Sequence, residues 1–189
     1  MHKVGILALQ GASQRHADAV AALGGHPVEV RSADDLSGIE GIILPGGEST
    51  TMSKLLDLSG LFEPLAERLQ AGMPAFGTCA GLILLSAHIL DGRPDQRSFG
   101  VLDVDVRRNA FGRQVDSFEA DLTVDGVPGG DFPAVFIRAP VVERVGAGVE
   151  VLSTVDGRAV LCRQGPLLGA AFHPELSDDL RLHQLFLEG

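Results

Sequence analysis

Only two cysteines, Cys79 and Cys162, occur among the 189 residues. In a reducing compartment, with a core of ample size, they are expected as free thiols rather than as a structural disulfide. No apolar run approaches membrane-spanning length, and Met1-His2-Lys3 followed by Val4 to Leu9 is too short for a signal peptide with its cleavage region. The chain therefore reads as cytoplasmic, with no membrane partner. There is no basic run and no aromatic RNA-stacking motif. A net charge of −10 argues against nucleic acid, because sequence-independent binding needs Lys and Arg to replace phosphate counterions. The acidic balance bears on solubility and says little about fold. No internal repeat, low-complexity tract or linker divides the chain. With 45% hydrophobic and 21% charged residues, 1–189 is expected to form one domain with a real core.

What is present is an alternation of strand and helix patterns. Val4 to Leu9, Val28 to Val30 and Ile42 to Leu44 are short β-branched and aliphatic runs, and helical patterns separate them, which points to βαβ construction. The nearly all-apolar run through Leu7 and Leu9 suits a strand buried on both faces. Gln14 to Leu23 places Ala17, Val20, Ala21 and Leu23 near one helical stripe. A helix after Ser49 turns Met52, Leu55 and Leu56 inward, and another covers Leu61 to Leu69. The second half is richer in strands: Val101 to Val106, Phe118 to Val124, Val149 to Leu152, Ala159 to Cys162 and Leu167 to Phe172, with a turn at Pro128-Gly129-Gly130. Asp178 to Leu187 reads as a closing helix capped by Ser177, with two acids in its first turn.

The sharpest chemical signal is Gly77-Thr78-Cys79-Ala80-Gly81, set between an apolar strand and the run Leu82 to Leu85. It has the form of a nucleophile elbow. A nucleophile on a tight strand-to-helix turn needs small neighbours two residues to either side, and Gly77 and Gly81 supply them. The following helix would point free N–H groups at the thiol and let the Ala80 amide donate to an oxyanion. Without a base, Cys79 reads equally well as a small buried hydrophobe beside close-packing glycines. Cys162 lies in an apolar strand with no small neighbours and reads as core.

Phe172-His173-Pro174-Glu175 supplies a base and a carboxylate two residues apart, close enough to fix the imidazole tautomer and stabilise the imidazolium. Alone it is an ordinary strand-ending turn; beside an elbow it becomes a triad. His2, His16, His26, His88 and His183 show no metal-ligand spacing, so no metal is expected. Pro45-Gly46-Gly47-Glu48-Ser49-Thr50-Thr51 can present backbone N–H groups to an anion, or can be a simple turn and helix cap. It lacks the lysine of a P-loop, and no Gly-x-Gly-x-x-Gly stands anywhere to bind a dinucleotide.

Together these segments resemble the class I, triad-type glutamine amidotransferases. Gly5 to Gly11, the Pro45 to Thr51 loop, Arg108 to Gln114, Asp116 to Glu119 and Phe136 to Pro140 narrow the resemblance to the glutaminase subunits of pyridoxal 5′-phosphate synthase. The resemblance implies a flavodoxin-like three-layer sandwich, a mixed but mostly parallel sheet with helices on both faces. It implies Cys79, His173 and Glu175 as catalytic residues and Gly47 with Ala80 as oxyanion donors. L-Glutamine would be held by Gly47, Glu48, Ser49, Arg108, Ile137 and Arg138, with Gln10 near the partner interface. Arg15 stands where the family often has an acid, which touches docking more than catalysis.

The activity implied is hydrolysis of glutamine to glutamate and ammonia through a Cys79 thioester, without a cofactor. The ammonia would pass to a separate synthase subunit in a large hetero-oligomer, which would join it with ribose 5-phosphate and glyceraldehyde 3-phosphate. Three other readings stand beside it: a glutaminase subunit serving histidine or cobalamin-type biosynthesis, a non-catalytic scaffold, and a cysteine peptidase. The Ser117-Phe118-Glu119 and Ile137-Arg138 blocks argue against the first, and the intact Cys, His and Glu against the second. Peptide cleavage independent of a synthase would mark the third.

Overall fold

Aliphatic runs of four or five residues bounded by glycine, proline or serine make short strands, and here they feed a central sheet. A computed structural model describes residues 1–108 and 117–189. The chain runs β1 (Lys3–Leu7), α1 (Ser13–Ala22), β2 (His26–Val30), β3 (Gly41–Leu44), α2 (Ser49–Leu58), α3 (Phe62–Gln70), β4 (Ala75–Thr78), α4 (Ala80–Leu85), β5 (Ser86–Ile89) and β6 (Leu102–Arg107). It continues through β7 (Ser117–Leu122), β8 (Phe132–Ile137), β9 (Val141–Val145), β10 (Glu150–Val155), β11 (Arg158–Gln164), β12 (Leu167–Ala170) and α5 (Arg181–Glu188). Of the blocks read from the sequence, residues 109–114 and Asp116 lie outside the described residues.

Seven strands form the main sheet in the order β10-β11-β12-β4-β3-β1-β2. The strands β2, β1, β3, β4 and β12 are mutually parallel, while β11 and β10 add antiparallel pairs at one edge. The parallel part has the doubly wound order 2-1-3-4-5 of flavodoxin-like folds, whose sites lie beyond the carboxyl ends of the strands. Side-chain alternation along β4 separates the two helical layers. Phe76 meets His183 and Phe186 of α5, and Thr78 meets His16 of α1. On the other face Gly77 backs onto Gly81 of α4, which packs on α2. The strands β5, β6 and β9 make a second small sheet, and β7 with β8 a hairpin.

That hairpin is tied down by aromatics. Phe118 stacks on Phe136 at 4.4 Å between centroids, and Phe172 contacts both Phe136 and Phe132. This explains why β12 ends at Ala170 and not at Phe172. Beyond Ala171 the chain leaves the sheet for β8, where the His173 N–H donates to the Val135 carbonyl at 2.9 Å. At the other end, β1 stops at Leu7 rather than Leu9.

Two helix expectations are corrected. The buried stripe of α1 is His16, Ala19 and Val20, with Ala17 and Leu23 partly buried, and Ala21 is exposed. The polar His16 takes a core position that hydropathy assigns to the other side. Helix α5 begins at Arg181, capped by Leu180 with no side-chain bond and no acid in its first turn. Ser177 instead closes the 3-10 turn Pro174–Leu176, its hydroxyl donating to the Pro174 carbonyl at 3.0 Å, and Asp179 is taken by Arg181. Among the described residues no helix is long and apolar enough to cross a membrane.

Packing is tight where α4 crosses β3 and β4. A Cβ at Gly77 would lie 2.6 Å from the Gly81 backbone, and one at Gly81 would overlap the Leu44 carbonyl. Backbone cannot yield as a flexible side chain does, so Gly81→Ala is expected to destabilise the fold by about 1–3 kcal/mol, read as a lower urea midpoint at unchanged slope.

Candidate active site

The strand-to-helix turn after β4 holds Cys79 at φ 51°, ψ −103°, a left-handed conformation that costs a side-chain-bearing residue about 1–3 kcal/mol. Neighbouring bonds hold it there: the Cys79 N–H donates to the Ala170 carbonyl at 2.8 Å, and its carbonyl accepts from the Ile83 N–H at 3.3 Å. Ala80 is the first residue of α4 and is buried. Cys79 is buried too, but it lines a cleft of about 270 Å³ together with Gln10, Gly47, Glu48, Ser49, Ile83, Arg108, Ile137, Arg138 and His173. All six residues assigned to glutamine from the sequence thus share one cleft with Cys79 and His173. Gln10 joins them, and Ile83 was not anticipated.

His173 follows β12, and the next turn brings Glu175 behind it. Nδ1 of His173 lies 2.7 Å from Oε1 of Glu175, whose side chain is fully buried. Burial opposes charge on His173, but hydrogen bonding to Cys79 and Glu175 outweighs it and raises the imidazole to about 10. Burial likewise opposes charge on Glu175, yet its bond to His173 and the neighbouring imidazoles hold it below the usual carboxylate value. Gly46 makes the approach possible, since a Cβ there would overlap the His173 ring.

The loop after β3 is both a cap and a cleft wall. The Glu48 carboxylate caps α2, accepting from the Thr50 N–H at 3.1 Å, the Thr51 N–H at 2.8 Å and the Thr51 hydroxyl at 2.7 Å. These bonds overcome partial burial and lower its pKa to about 2. Gln10 reaches across from the loop between β1 and α1, its Oε1 accepting from the Glu48 N–H at 2.8 Å.

The two arginines differ. Arg108 is committed within the protein, donating to the Thr50 hydroxyl at 2.7 Å, Gln96 Oε1 at 3.0 Å and the Asp91 carbonyl at 2.8 Å. Gln96 in turn donates to the Ser49 hydroxyl at 2.9 Å. Sequence reasoning missed Gln96, which stands in an irregular stretch between β5 and β6 and carries no pattern. Arg138 is exposed, lines the cleft and has no ion-pair partner among the described residues. It too is strained, at φ 43°. Cys162 sits in β11, 1% exposed, with its thiol pushed up to about 11 by burial, as a core residue should. Among the described residues no group of three His, Cys, Asp or Glu side chains is placed to hold a metal ion.

The chain is similar to known proteins in both sequence and fold. The model of the SNO glutamine amidotransferase family matches residues 6–189. A protein of Frankia alni named pyridoxal 5′-phosphate synthase subunit PdxT is 56% identical over 186 residues, covering 98% of this chain and 94% of the relative. One of the same name from Acidothermus cellulolyticus is 55% identical over 190 residues, covering 98% and 92%. A solved structure described as a glutamine amidotransferase superposes with a TM-score of 0.92 at 50% identity, covering 98% of this chain and 97% of that one.

Since Cys79 is one of the groups that raise His173, removing the thiol must lower it. An NMR titration of the His173 ring is expected to show a midpoint near 10 that falls in Cys79→Ala. An unchanged midpoint would mean the two side chains do not interact.

Proposed function

The chain belongs to the SNO glutamine amidotransferase family, and from that premise and the geometry of the cleft we propose how it works as the glutaminase subunit of a pyridoxal 5′-phosphate synthase. It hydrolyses L-glutamine to L-glutamate and ammonia for use by a synthase subunit, and residues 1–189 act as one glutaminase domain. The observation that carries the mechanism is the strained elbow at Cys79 opening into the same cleft as a His173 ring already bonded to Glu175.

In this reading the Cys79 thiolate attacks the side-chain carbonyl carbon of glutamine, and its proton resides on His173. Collapse of the tetrahedral intermediate breaks the C–N bond, and His173 returns the proton to the departing ammonia, leaving a glutamyl thioester. Water activated by His173 then adds to the thioester, and glutamate leaves as the thiol is restored. Glu175 keeps the imidazole in the tautomer with Nδ1–H toward the carboxylate. The Gly47 and Ala80 N–H groups stabilise the oxyanions.

Substrate binding divides between the two arginines. Arg138, which lines the cleft and has no ion-pair partner among the described residues, pairs with the α-carboxylate of glutamine. Arg108 shapes the wall by holding Thr50 and Gln96, while Glu48, Ser49 and Ile137 complete it. Gln10, on the loop that leads into α1, stands where a docked synthase subunit would press on the oxyanion loop.

Mixing the chain with its synthase subunit and following glutamate release tests the assignment. Turnover is expected to rise on adding the synthase, and Cys79→Ala is expected to reduce it by about 10⁴-fold or more. Equal turnover by the variant would sink the nucleophile assignment. Arg138→Ala is expected to raise KM for glutamine by about 10- to 100-fold with kcat little changed, the effect of losing one charge-assisted hydrogen bond made in ground and transition state alike.

A further inference from the structure

Glu175 has two carboxylate oxygens, and the bond to His173 uses one. The other, Oε2, is buried, makes no hydrogen bond among the described residues, and lies 3.4 Å from Nε2 of His16. His16 comes from α1 and is fully buried. Its Nε2 is also 3.3 Å from the hydroxyl of Thr78, the residue before Cys79, and its Nδ1 is 2.9 Å from Nε2 of the equally buried His183 on α5. Two touching imidazoles behind a buried carboxylate are an expensive arrangement for a core, because each removes polar atoms from water.

One placement of protons accommodates all these contacts. A neutral imidazole carries one N–H and one lone pair. Burial lowers His16 to about 4 against the pull of Glu175, and lowers His183 to about 3, so both rings are neutral near pH 7. A proton on His16 Nδ1 would turn the Nε2 lone pair toward Glu175, setting two acceptors face to face. A proton on Nε2 instead makes it a donor to the Thr78 hydroxyl and turns its positive end toward the Glu175 side, 3.4 Å from Oε2, while Nδ1 accepts from the Nε2–H of His183. The atom then left without a partner among the described residues is Nδ1 of His183. It is a lone pair, whose burial is tolerated better than that of an orphaned N–H.

We propose that His16 is a positioning residue for the triad: its Nε2–H, oriented by His183 from the neighbouring helix and hydrogen-bonded to Thr78, stands 3.4 Å from Glu175 Oε2, where its dipole steadies that oxygen and keeps Oε1 on His173. The inference rests on reading Cys79, His173 and Glu175 as the catalytic groups. A neutral donor suits the task. A lysine or arginine at this place would compete with the His173 imidazolium for the carboxylate, whereas an N–H steadies the carboxylate without cancelling its charge.

The test measures glutamate release by the complex with its synthase subunit. In His16→Leu, kcat is expected to fall by about 10- to 100-fold, the cost of leaving a buried carboxylate oxygen without its polar neighbour, with KM for glutamine unchanged within about twofold. His16→Gln, whose amide nitrogen can reach the Nε2 position, is expected to recover most of the loss. His183→Phe keeps a ring against Phe76 but cannot donate to His16, and is expected to fall between them. Wild-type kcat in His16→Leu, no recovery in His16→Gln, or a loss confined to KM would overturn the proposal. Should His16→Leu fail to fold by circular dichroism, His183→Phe decides: reduced kcat at constant KM supports the proposal and wild-type kcat overturns it. Cys79→Ala, run alongside, separates the two levels. Turnover by that variant would remove the triad reading itself, whereas its inactivity beside wild-type-like His16 and His183 variants would remove only the positioning role.

Discussion

Helix α4 can start one residue beyond β4 only because nothing larger than hydrogen projects from Gly77 and Gly81. That close approach forces the intervening residue into the left-handed conformation found at Cys79. The strain is maintained by neighbours that have no freedom to relax it. Ala170 holds the Cys79 N–H from β12, and Ile83 holds its carbonyl from within α4. A relaxed Cys79 would follow the strand direction and lose the turn that brings its sulfur into the cleft. Fold stability and sulfur placement are therefore one constraint, since the packing that excludes side chains at Gly77 and Gly81 is also what sets the sulfur.

A second constraint comes from the other side of the cleft. Phe172 leaves the sheet to pack among Phe132 and Phe136, and the His173 N–H is captured by β8. The hairpin that carries Ile137 and Arg138 is thus fastened to the segment that carries His173 and Glu175. Gly46 lets the β3 loop close onto the imidazole. Four parallel-strand ends, those of β1, β3, β4 and β12, converge on the cleft, as the doubly wound order requires.

Much of this was legible without coordinates. The strand runs through Ile42, Phe76 and Leu168 were readable because buried parallel strands are continuously apolar, and the elbow because the glycine spacing has a steric cause. The errors are of one kind. Hydropathy turns Ala21 inward and leaves His16 outside the stripe, because it ranks a histidine as polar whatever it touches. A serine before acids is a local signal for a cap of α5, while the Ser177 hydroxyl is in fact drawn back to Pro174. Gln96 and the commitment of Arg108 left no local trace at all, since their partners lie in distant parts of the chain.

By itself the sequence determined the family, the alternating α/β construction, and the residue types in the elbow and in the His-Pro-Glu turn. These depend on local sterics and short-range periodicity, which are written into neighbouring residues. The tertiary structure alone decided that Arg108 is held by Thr50, Gln96 and Asp91, which carboxylate oxygen faces His173, and that His16 and His183 stand behind the other. Those outcomes depend on through-space distances between groups as much as 167 residues apart, and only the packing of α1 and α5 on the same face of the sheet brings such groups into contact.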